Sequence, residues 1–548
     1  MLKRIVSLRP ADVVLCSVAA VATFMSFPTE LAPEFTFWPL IWVSHVPLLF
    51  LLRTKSPRAA FGWGLSCGFL INTGGYYWMA SMLKTFGALP WPVAILIMLL
   101  HSLQLGLIWG IWAWLVNRIS NTTSVPVEWS VPMVMVAIEF LMPRIFPAYM
   151  GNSQYLFPPI MQIVDIFGIG AVTFLIYRVN AVLYLWLRAF LEGRSKPMRA
   201  TYLTVLMLAS TLVYGFFRMA HFDEQMHKAK RLNVGVAEGD VGIFQVESAE
   251  RQRDHLLIQQ RLSQELAEEG ADLIIWPESA YRARPLNRNA SSFPRSMVPL
   301  AKGWRDDRST PVKDRNSPQR GFDVPLLFGT TSIAPSNGPR WEGDGPYIPR
   351  NTAFLLDREG RVSGAYDKVY LLAFGEYVPF IEWMPWFYKY IPSAGRLEPG
   401  DKVNVLSAEF PDVGEVRIGV LICYEGILPG FARNLSGKGA HFIANLTNDD
   451  WFGKTAERYL HFALTVPRAI EHRTAFVRST LTGVSAFVDV NGRVVKSTRM
   501  YEPERIMWSV PLLTNATIYQ RIGDFFPWMA VALALMWYLW GRIRRRAV

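Results

Sequence analysis

Long uninterrupted apolar runs constrain this chain more than anything else in it. The stretch VAILIMLLHSLQLGLIWGIWAWLV, residues 93–116, is enough for a helix to cover the ~20 residues that a bilayer core demands. Runs of this kind recur up to about residue 220 and then stop. Seven spans are predicted there, at about 11–27, 36–52, 60–80, 92–116, 129–147, 160–187 and 201–219. An eighth, FFPWMAVALALMWYLW, follows near the C-terminus. A composition that is 51% hydrophobic, with 20 Trp and 34 Phe, agrees with a polytopic membrane protein. The opening MLKRIVSLRP and its apolar run have the polarity of a signal peptide, but no small-x-small site precedes Pro28, so the run is expected to be retained as the first helix.

Orientation follows from Lys and Arg in short loops, because cytoplasmic loops retain them. Lys3, Arg4 and Arg9 precede the first span, Arg53, Lys55 and Arg58 follow the second, and Arg118 follows the fourth. Arg188, Arg194, Lys196 and Arg199 follow the sixth, and Arg542, Arg544, Arg545 and Arg546 follow the last. The opposite short loops hold only Lys84 and Arg144. Both termini are therefore expected in the cytoplasm and residues 220–520 outside. Three parts result: a seven-helix transmembrane domain over 1–220, an external domain over 221–515, and a last helix with a basic tail over 516–548. The net charge of +12 sits largely at membrane boundaries, where anionic lipid headgroups are the natural partner. No nucleic-acid partner is implied. Five polar residues inside the spans, His45, His101, Glu139, Asp165 and Arg178, are candidates for contact with substrate.

Beyond Arg231 short strands alternate with helices. RLNVGVAEGD reads as a strand, AERQRDHLLIQQRLSQELAEEG as an amphipathic helix and ADLIIWPES as a second strand. VRIGVLIC, HFIANLTND, TAFVRSTLTG and SAFVDVNGRVVKS supply more, giving an α/β domain with packed sheets. Residues 282–324 read as a long solvated loop. Residues 371–400 are loop-like but carry Trp383, Trp386, Phe387 and Tyr388 among prolines. That pattern suits a mobile flap touching lipid, with core as the alternative.

The chain has three cysteines, and only Cys423 lies in the external domain, so no disulfide framework exists there. Cys16 and Cys67 read as small apolar residues of helices. Cys423 ends an apolar strand, and Pro429 soon after is suited to the first turn of a helix. Alone, a cysteine there is as readily inert core as nucleophile. A thiol becomes a strong nucleophile only when a neighbour takes its proton or favours the thiolate. Glu278 in LIIWPES is a candidate base, its carboxylate shielded by the strand and Trp276 so that its pKa rises. Lys368 in AYDKVYLLAFGEY is a candidate cation for an oxyanion.

In WPES, YDKVYLLAFGEYVPF and LICYE the chain resembles the nitrilase superfamily, whose fold is an αββα sandwich with a Glu-Lys-Cys triad. FGEYVPF, NLTNDDWFG, RAIEHRTAFVRSTLTGVSAFVD, the GNSQY loop and the flanking spans make it similar to a membrane branch, the apolipoprotein N-acyltransferase family. The expected fold class is thus a polytopic α-helical membrane domain of about eight spans plus an external nitrilase-type domain. The resemblance implies Cys423 as nucleophile, Glu278 as general base, Lys368 as stabiliser of the oxyanion, and Glu376 as a second acid. It implies that the backbone N–H of Tyr424 joins the oxyanion hole, that Glu425 holds the local loop, and that Asn448, Asp449 and Trp451 lie near the site. The implied reaction is ping-pong. An acyl chain passes from a phospholipid to Cys423, and then to the α-amino group of the S-diacylglyceryl-cysteine that begins an apolipoprotein. The implied location is the bacterial inner membrane with the catalytic domain in the periplasm, and no cofactor or metal is implied. The family often carries a Trp after the first strand, where this chain reads EGDVGIFQVES with Asp240. A membrane-anchored amidase using the same triad is the alternative enzyme, and a transporter or receptor the alternative from another class.

Overall fold

The computed structural model describes residues 9–31, 36–240, 249–293, 295–297, 315–335, 347–373, 375–378, 383 and 395–546. Four of its helices are long and apolar enough to cross a bilayer: Trp91–Thr122, Gly170–Glu192, Met198–Lys228 and Phe525–Arg545. The first rises about 48 Å at 1.5 Å per residue, well beyond a bilayer core of about 30 Å. Beside them stand Pro10–Phe24, Val46–Leu52, Pro57–Gly75, Trp78–Thr85 and Val127–Leu141. Three of the predicted spans are broken, that over 60–80 at Tyr76 and Tyr77, between Pro57–Gly75 and Trp78–Thr85. Residues 36–52 divide into a short turn, Trp38–Trp42, and the helix Val46–Leu52. Pro47 cannot donate within a helix and restarts one instead, while the free N–H of His45 is taken by Asn180 Oδ1 at 2.8 Å. Residues 160–187 break at Gly168, whose φ of +69° stops one helical segment before Gly170 starts the next.

Small residues set the closest approach between helices. A Cβ on Gly64 would fall 2.3 Å from the Trp109 carbonyl oxygen, and one on Gly106 2.9 Å from the Phe69 nitrogen. Pro57–Gly75 and Trp91–Thr122 therefore pack backbone to backbone, as small-xxx-small pairs allow in a membrane.

The part beyond Lys230 holds fifteen described strands. They are β1 Arg231–Glu238, β2 Leu273–Ile275, β3 Tyr281–Asn287, β4 Arg295–Ser296, β5 Gln319–Arg320, β6 Leu326–Pro335, β7 Tyr347–Leu356 and β8 Val362–Asp367. There follow β9 Val405–Phe410, β10 Gly414–Ile422, β11 Phe442–Thr447, β12 Ala475–Thr480, β13 Ala486–Val488, β14 Val494–Ser497 and β15 Glu504–Pro511. One sheet runs β15-β1-β2-β6-β7-β8 with β3 beside β6, and the other β14-β13-β12-β11-β10-β9.

Alternation along the strands builds the layers. Ile418, Val420 and Ile422 of β10 meet Leu273 and Ile275 of β2 in the core between the sheets. Leu421 and Ile443 point the other way, onto the helices Pro429–Gly437 and Glu457–His472. Ile274, Leu326 and Phe328 face the outer side of the first sheet with Leu262 and Leu266 of the helix Ala249–Glu268. Two sheets between two helical layers result.

Residues 282–324 are not one solvated loop. β3 pairs with β6, β4 with β5, and Leu286, Phe293, Phe322 and Val324 are buried. Arg, Pro, Asn and Ser dominate the segment's composition, but its scattered apolar residues anchor both of its ends.

Candidate active site

Cys423 stands where β10 gives way to a helical turn, Cys423–Ile427, that leads into Pro429–Gly437. Its φ is +54°, in the left-handed region that costs a non-glycine residue about 1–3 kcal/mol. The neighbours hold it there. Glu425 is fully buried. Its Oε1 accepts the N–H groups of Val369 (2.7 Å) and Tyr370 (3.0 Å), and its Oε2 accepts the N–H of Ile422 (2.8 Å) and the Tyr366 hydroxyl (2.9 Å). One carboxyl thus ties the cysteine turn to the end of β8, where Lys368 sits. Burial pushes the Glu425 carboxyl up to about 7 against these donors. Behind the turn, Asn445 Nδ2 donates to the Cys423 carbonyl at 3.2 Å, and Arg478 donates to Asn445 Oδ1 at 2.9 Å.

Glu278 follows β2 and is 5% exposed. A Cβ at Gly329 would lie 2.6 Å from its Cα, so only glycine lets the strand end turn there. Its Oε1 accepts Asn351 Nδ2 at 2.6 Å and Lys368 Nζ at 3.5 Å. Its Oε2 has no hydrogen-bond partner among the described residues, and the Cys423 thiol lies close enough to favour the carboxylate. Burial raises the Glu278 carboxyl above its usual range, Lys368 opposes this, and Glu376 adds to it. Trp276 does not shield the carboxyl as predicted: its indole N–H turns outward to Ser263 Oγ at 2.7 Å and its ring to Phe328.

Lys368 is 2% exposed, and Glu376 holds its ammonium at 2.8–2.9 Å. Burial works against the charge, but Glu376, Glu278 and Cys423 keep the ammonium well above its usual range. Glu376 is itself fixed by the Leu372 N–H at 2.8 Å and by Asn351 Nδ2 at 3.1 Å. Burial and Glu278 push the Cys423 thiol up to about 12, against the pull of Lys368 and the Thr447 hydroxyl. The resting sulfur is therefore protonated. A carboxyl with raised proton affinity and an unused oxygen stands ready to take that proton, with an ammonium beside both.

The other predicted residues divide. Tyr424 donates its hydroxyl to the Ile145 carbonyl, meets Phe146 edge-on and stacks on Tyr370, so the residue after the cysteine rests on the loop that follows the helix Val127–Leu141. Trp451 meets Phe86 at 4.4 Å across the same boundary. Asp449 is buried beneath the site: Arg478 donates to it at 2.7 Å and His461 Nδ1 lies at 2.7 Å. Burial alone would raise its pKa, but Arg478 and the His461 ring bring it below the ordinary value. Asn448 accepts the Asp450 N–H at 3.1 Å and shapes a turn. Trp383 is 80% exposed, while Trp386, Phe387 and Tyr388 lie outside the described residues. Asn351, which bridges both acids, was not anticipated, nor were His461 and Arg478.

Of the intramembrane polar residues, His45 is engaged by the Ser44 hydroxyl, the Trp109 indole and the Tyr177 hydroxyl. Arg178 donates to Thr204 and the Glu128 carbonyl over the Trp129 ring. Asp165 pairs with Arg218 and, across the domain boundary, with Arg473. His101 packs edge-on against Tyr76. None of these four belongs to the Cys423 cluster.

A buried acid, ammonium and thiol at the strand ends of a two-sheet sandwich define a carbon-nitrogen hydrolase domain, and the sequence profile of that family matches residues 240–512. The profile of the apolipoprotein N-acyltransferase N-terminal domain matches residues 19–182. The apolipoprotein N-acyltransferase of Geobacter metallireducens is 30% identical over 95% of this chain and 93% of that protein. That of Bdellovibrio bacteriovorus is 28% identical over 91% of this chain and 89% of that one. The chain belongs to the apolipoprotein N-acyltransferase family. Among solved structures, an amidase from Nesterenkonia sp. AN1 aligns at 17% identity over 53% of this chain and 96% of the amidase, with a TM-score of 0.33, too low to bear on the assignment.

Proposed function

We propose that this chain moves an acyl chain from a phospholipid, through a thioester on Cys423, to the α-amino group of the S-diacylglyceryl-cysteine at an apolipoprotein's N-terminus. The single observation that carries this is the contact of Tyr424, the residue after Cys423, with Ile145 and Phe146 in the loop that follows the membrane-domain helix Val127–Leu141. A small soluble amide needs no such contact.

Glu278 takes the thiol proton as the sulfur attacks the ester carbonyl. Lys368 and the Tyr424 N–H, which leads a helical turn, stabilise the oxyanion. The glycerol oxygen leaves with the proton returned by Glu278, as lysophospholipid. The acceptor amine then attacks the thioester, gives its proton to Glu278, and expels the Cys423 thiolate. A thioester reacts far more readily with an amine than the original ester does, which makes the two-step route worthwhile. Glu376 orients Lys368.

About eight spans, cytoplasmic termini and a periplasmic catalytic domain complete this reading. The basic loops support it, and so do the four helices of spanning length and the paired shorter ones. Mass spectrometry after incubation with phospholipid tests it. An acyl adduct on the Cys423 peptide, removed by hydroxylamine and missing in Cys423→Ala, is the expected result. A lipopeptide acylated at full rate by Cys423→Ala would overturn it.

A further inference from the structure

A buried carboxyl in a cavity on the membrane side deepens the acyl-transfer reading and rests on it. The cavity, about 80 Å³ and open to solvent, lies where the membrane helices meet the catalytic domain. Phe24, Ile71, Leu105 and Ile108 give it an apolar wall, and Tyr76, Glu139, Arg144 and Glu457 a polar one. Phe146 also lines it and packs edge-on against Tyr424 at 5.6 Å. One ring thus separates the cavity from the residue that follows Cys423.

The polar groups differ in how they are satisfied. Glu139 accepts the Met150 N–H at 2.9 Å and the Thr173 hydroxyl at 3.0 Å. Arg144 donates to the carbonyls of Ala148 and Glu139 and lies over the Tyr149 ring. Glu457 is 2% exposed, yet neither of its carboxyl oxygens has a hydrogen-bond partner among the described residues. The Trp78 indole beside it donates to the Gly75 carbonyl at 3.0 Å. Glu457 does not serve as the anion at its helix's N-terminus either. Glu30 accepts the Ala456 N–H at 2.6 Å and the Tyr77 hydroxyl there.

Burying such a carboxyl is costly, and the nearby Trp78 indole offsets only part of the cost. Burial holds the Glu457 carboxyl well above its usual range, and an arriving cation would take the place of its proton. Tyr76 feels the charges of both Glu457 and Arg144, so an anion site and a cation site stand near each other on one wall.

We propose that Glu457 is the counter-ion for a primary ammonium carried by a lipid substrate, whose chains lie along the cavity's apolar wall. Two lipids of the reaction have that chemistry: a phosphoethanolamine donor, through its headgroup, and the diacylglyceryl-cysteine acceptor, through its α-amine. Glu457 binds and positions the lipid and takes no part in the bond changes at Cys423.

The test compares the full-length wild type with Glu457→Gln. Cys423 acylation is measured on vesicles of phosphatidylethanolamine and of phosphatidylglycerol with matched chains, and the KM for a diacylated lipopeptide is measured on pre-acylated enzyme. Loss of a charged hydrogen bond predicts a change of about 10- to 100-fold. A fall of that size in the preference for phosphatidylethanolamine assigns the site to the donor. A rise of that size in lipopeptide KM, with the lipid preference unchanged, assigns it to the acceptor. If both are unchanged in a variant that melts with the wild type, the proposal is wrong.

Native mass spectrometry of lipid retained by Cys423→Ala, with and without Glu457→Gln, reads the site without catalysis. Failure of the acyl-transfer reading is therefore distinguishable from failure of this one. Should Glu457→Gln not fold, Glu457→Asp draws the charge back by one methylene. It is expected to weaken retention of the ammonium lipid, and unchanged retention would overturn the proposal.

Discussion

Two buried carboxyls, one at the domain boundary and one at the site, show opposite ways of carrying charge in a protein interior. Asp165 is 1% exposed and saturated: Oδ1 accepts the Tyr214 hydroxyl at 2.7 Å, while Oδ2 accepts Arg218 at 3.0 Å and Arg473 at 2.6 Å. Glu278 is 5% exposed and half used, with two donors on Oε1 and none on Oε2. Asp165 has every acceptor position filled, which spares it the loss that an orphaned one carries. A carboxyl that must receive a proton keeps an oxygen free. The same contrast separates Glu139 from Glu457 within the cavity.

The contrast is open to experiment. Glu278→Gln should lower the rate of Cys423 thioester formation by about 10²–10⁴, the share typical of a general base, while leaving the melting temperature unchanged or higher. Asp165→Asn should do the reverse. Removing one partner of a buried pair costs about 3–5 kcal/mol, visible in denaturant unfolding, while molecules that stay folded still form the thioester. Comparable loss of acylation in both variants, at equal folded fraction, would erase the distinction between the two carboxyls.

Tyr424→Phe removes the hydroxyl that reaches the Ile145 carbonyl but leaves the ring, and should cost about 0.5–1.5 kcal/mol in thermal unfolding. An effect spread thinly over pH concerns Glu238, buried at the end of β1 with Thr498 Oγ1 on one oxygen at 2.7 Å. Burial pushes its carboxyl from 4.5 up to about 8. The folded chain keeps that proton while the unfolded chain loses it, so its contribution to stability is full below pH 4.5 and drains away as pH rises to about 8. Glu238→Gln should flatten the fall in stability across that window by up to about 1.4 kcal/mol per pH unit. Glu471, also pushed up to about 8 by burial, leaves a residual slope of the same sign.

The triad was legible because each member ends a strand within a short local motif: WPES for Glu278, YDK for Lys368 and LICYE for Cys423. Their supports were not. Asn351 reaches Glu278 across 73 residues, and Arg478 reaches Asn445 across 33; pairings of that kind leave no periodic trace along the chain. Arg473 looked like one more basic residue after a helix. It is a buried partner of Asp165, 308 residues earlier. Packed sheets were legible in short strand-sized apolar runs such as VRIGVLIC and HFIANLTND, whereas the sandwich was implied only by the family resemblance. Breaks in the membrane helices at Pro47 and Gly168 could not be read from apolar content, because hydropathy records the solvent and not the backbone geometry.

Strand pairing at the edge of the first sheet bears on how the molecule is made. β1 pairs along its whole length with β15, from Arg231 against Pro511 to Glu238 against Glu504. The helix Phe525–Arg546 then packs between Val127–Leu141 and Trp91–Thr122. During synthesis, the earliest strand of the catalytic domain must wait with an open edge until some 270 further residues have emerged. The membrane bundle likewise keeps a gap for its final member. Both halves close last and nearly together, so a ribosome stalled late in translation would leave each with an exposed seam, prone to pairing with the wrong chain.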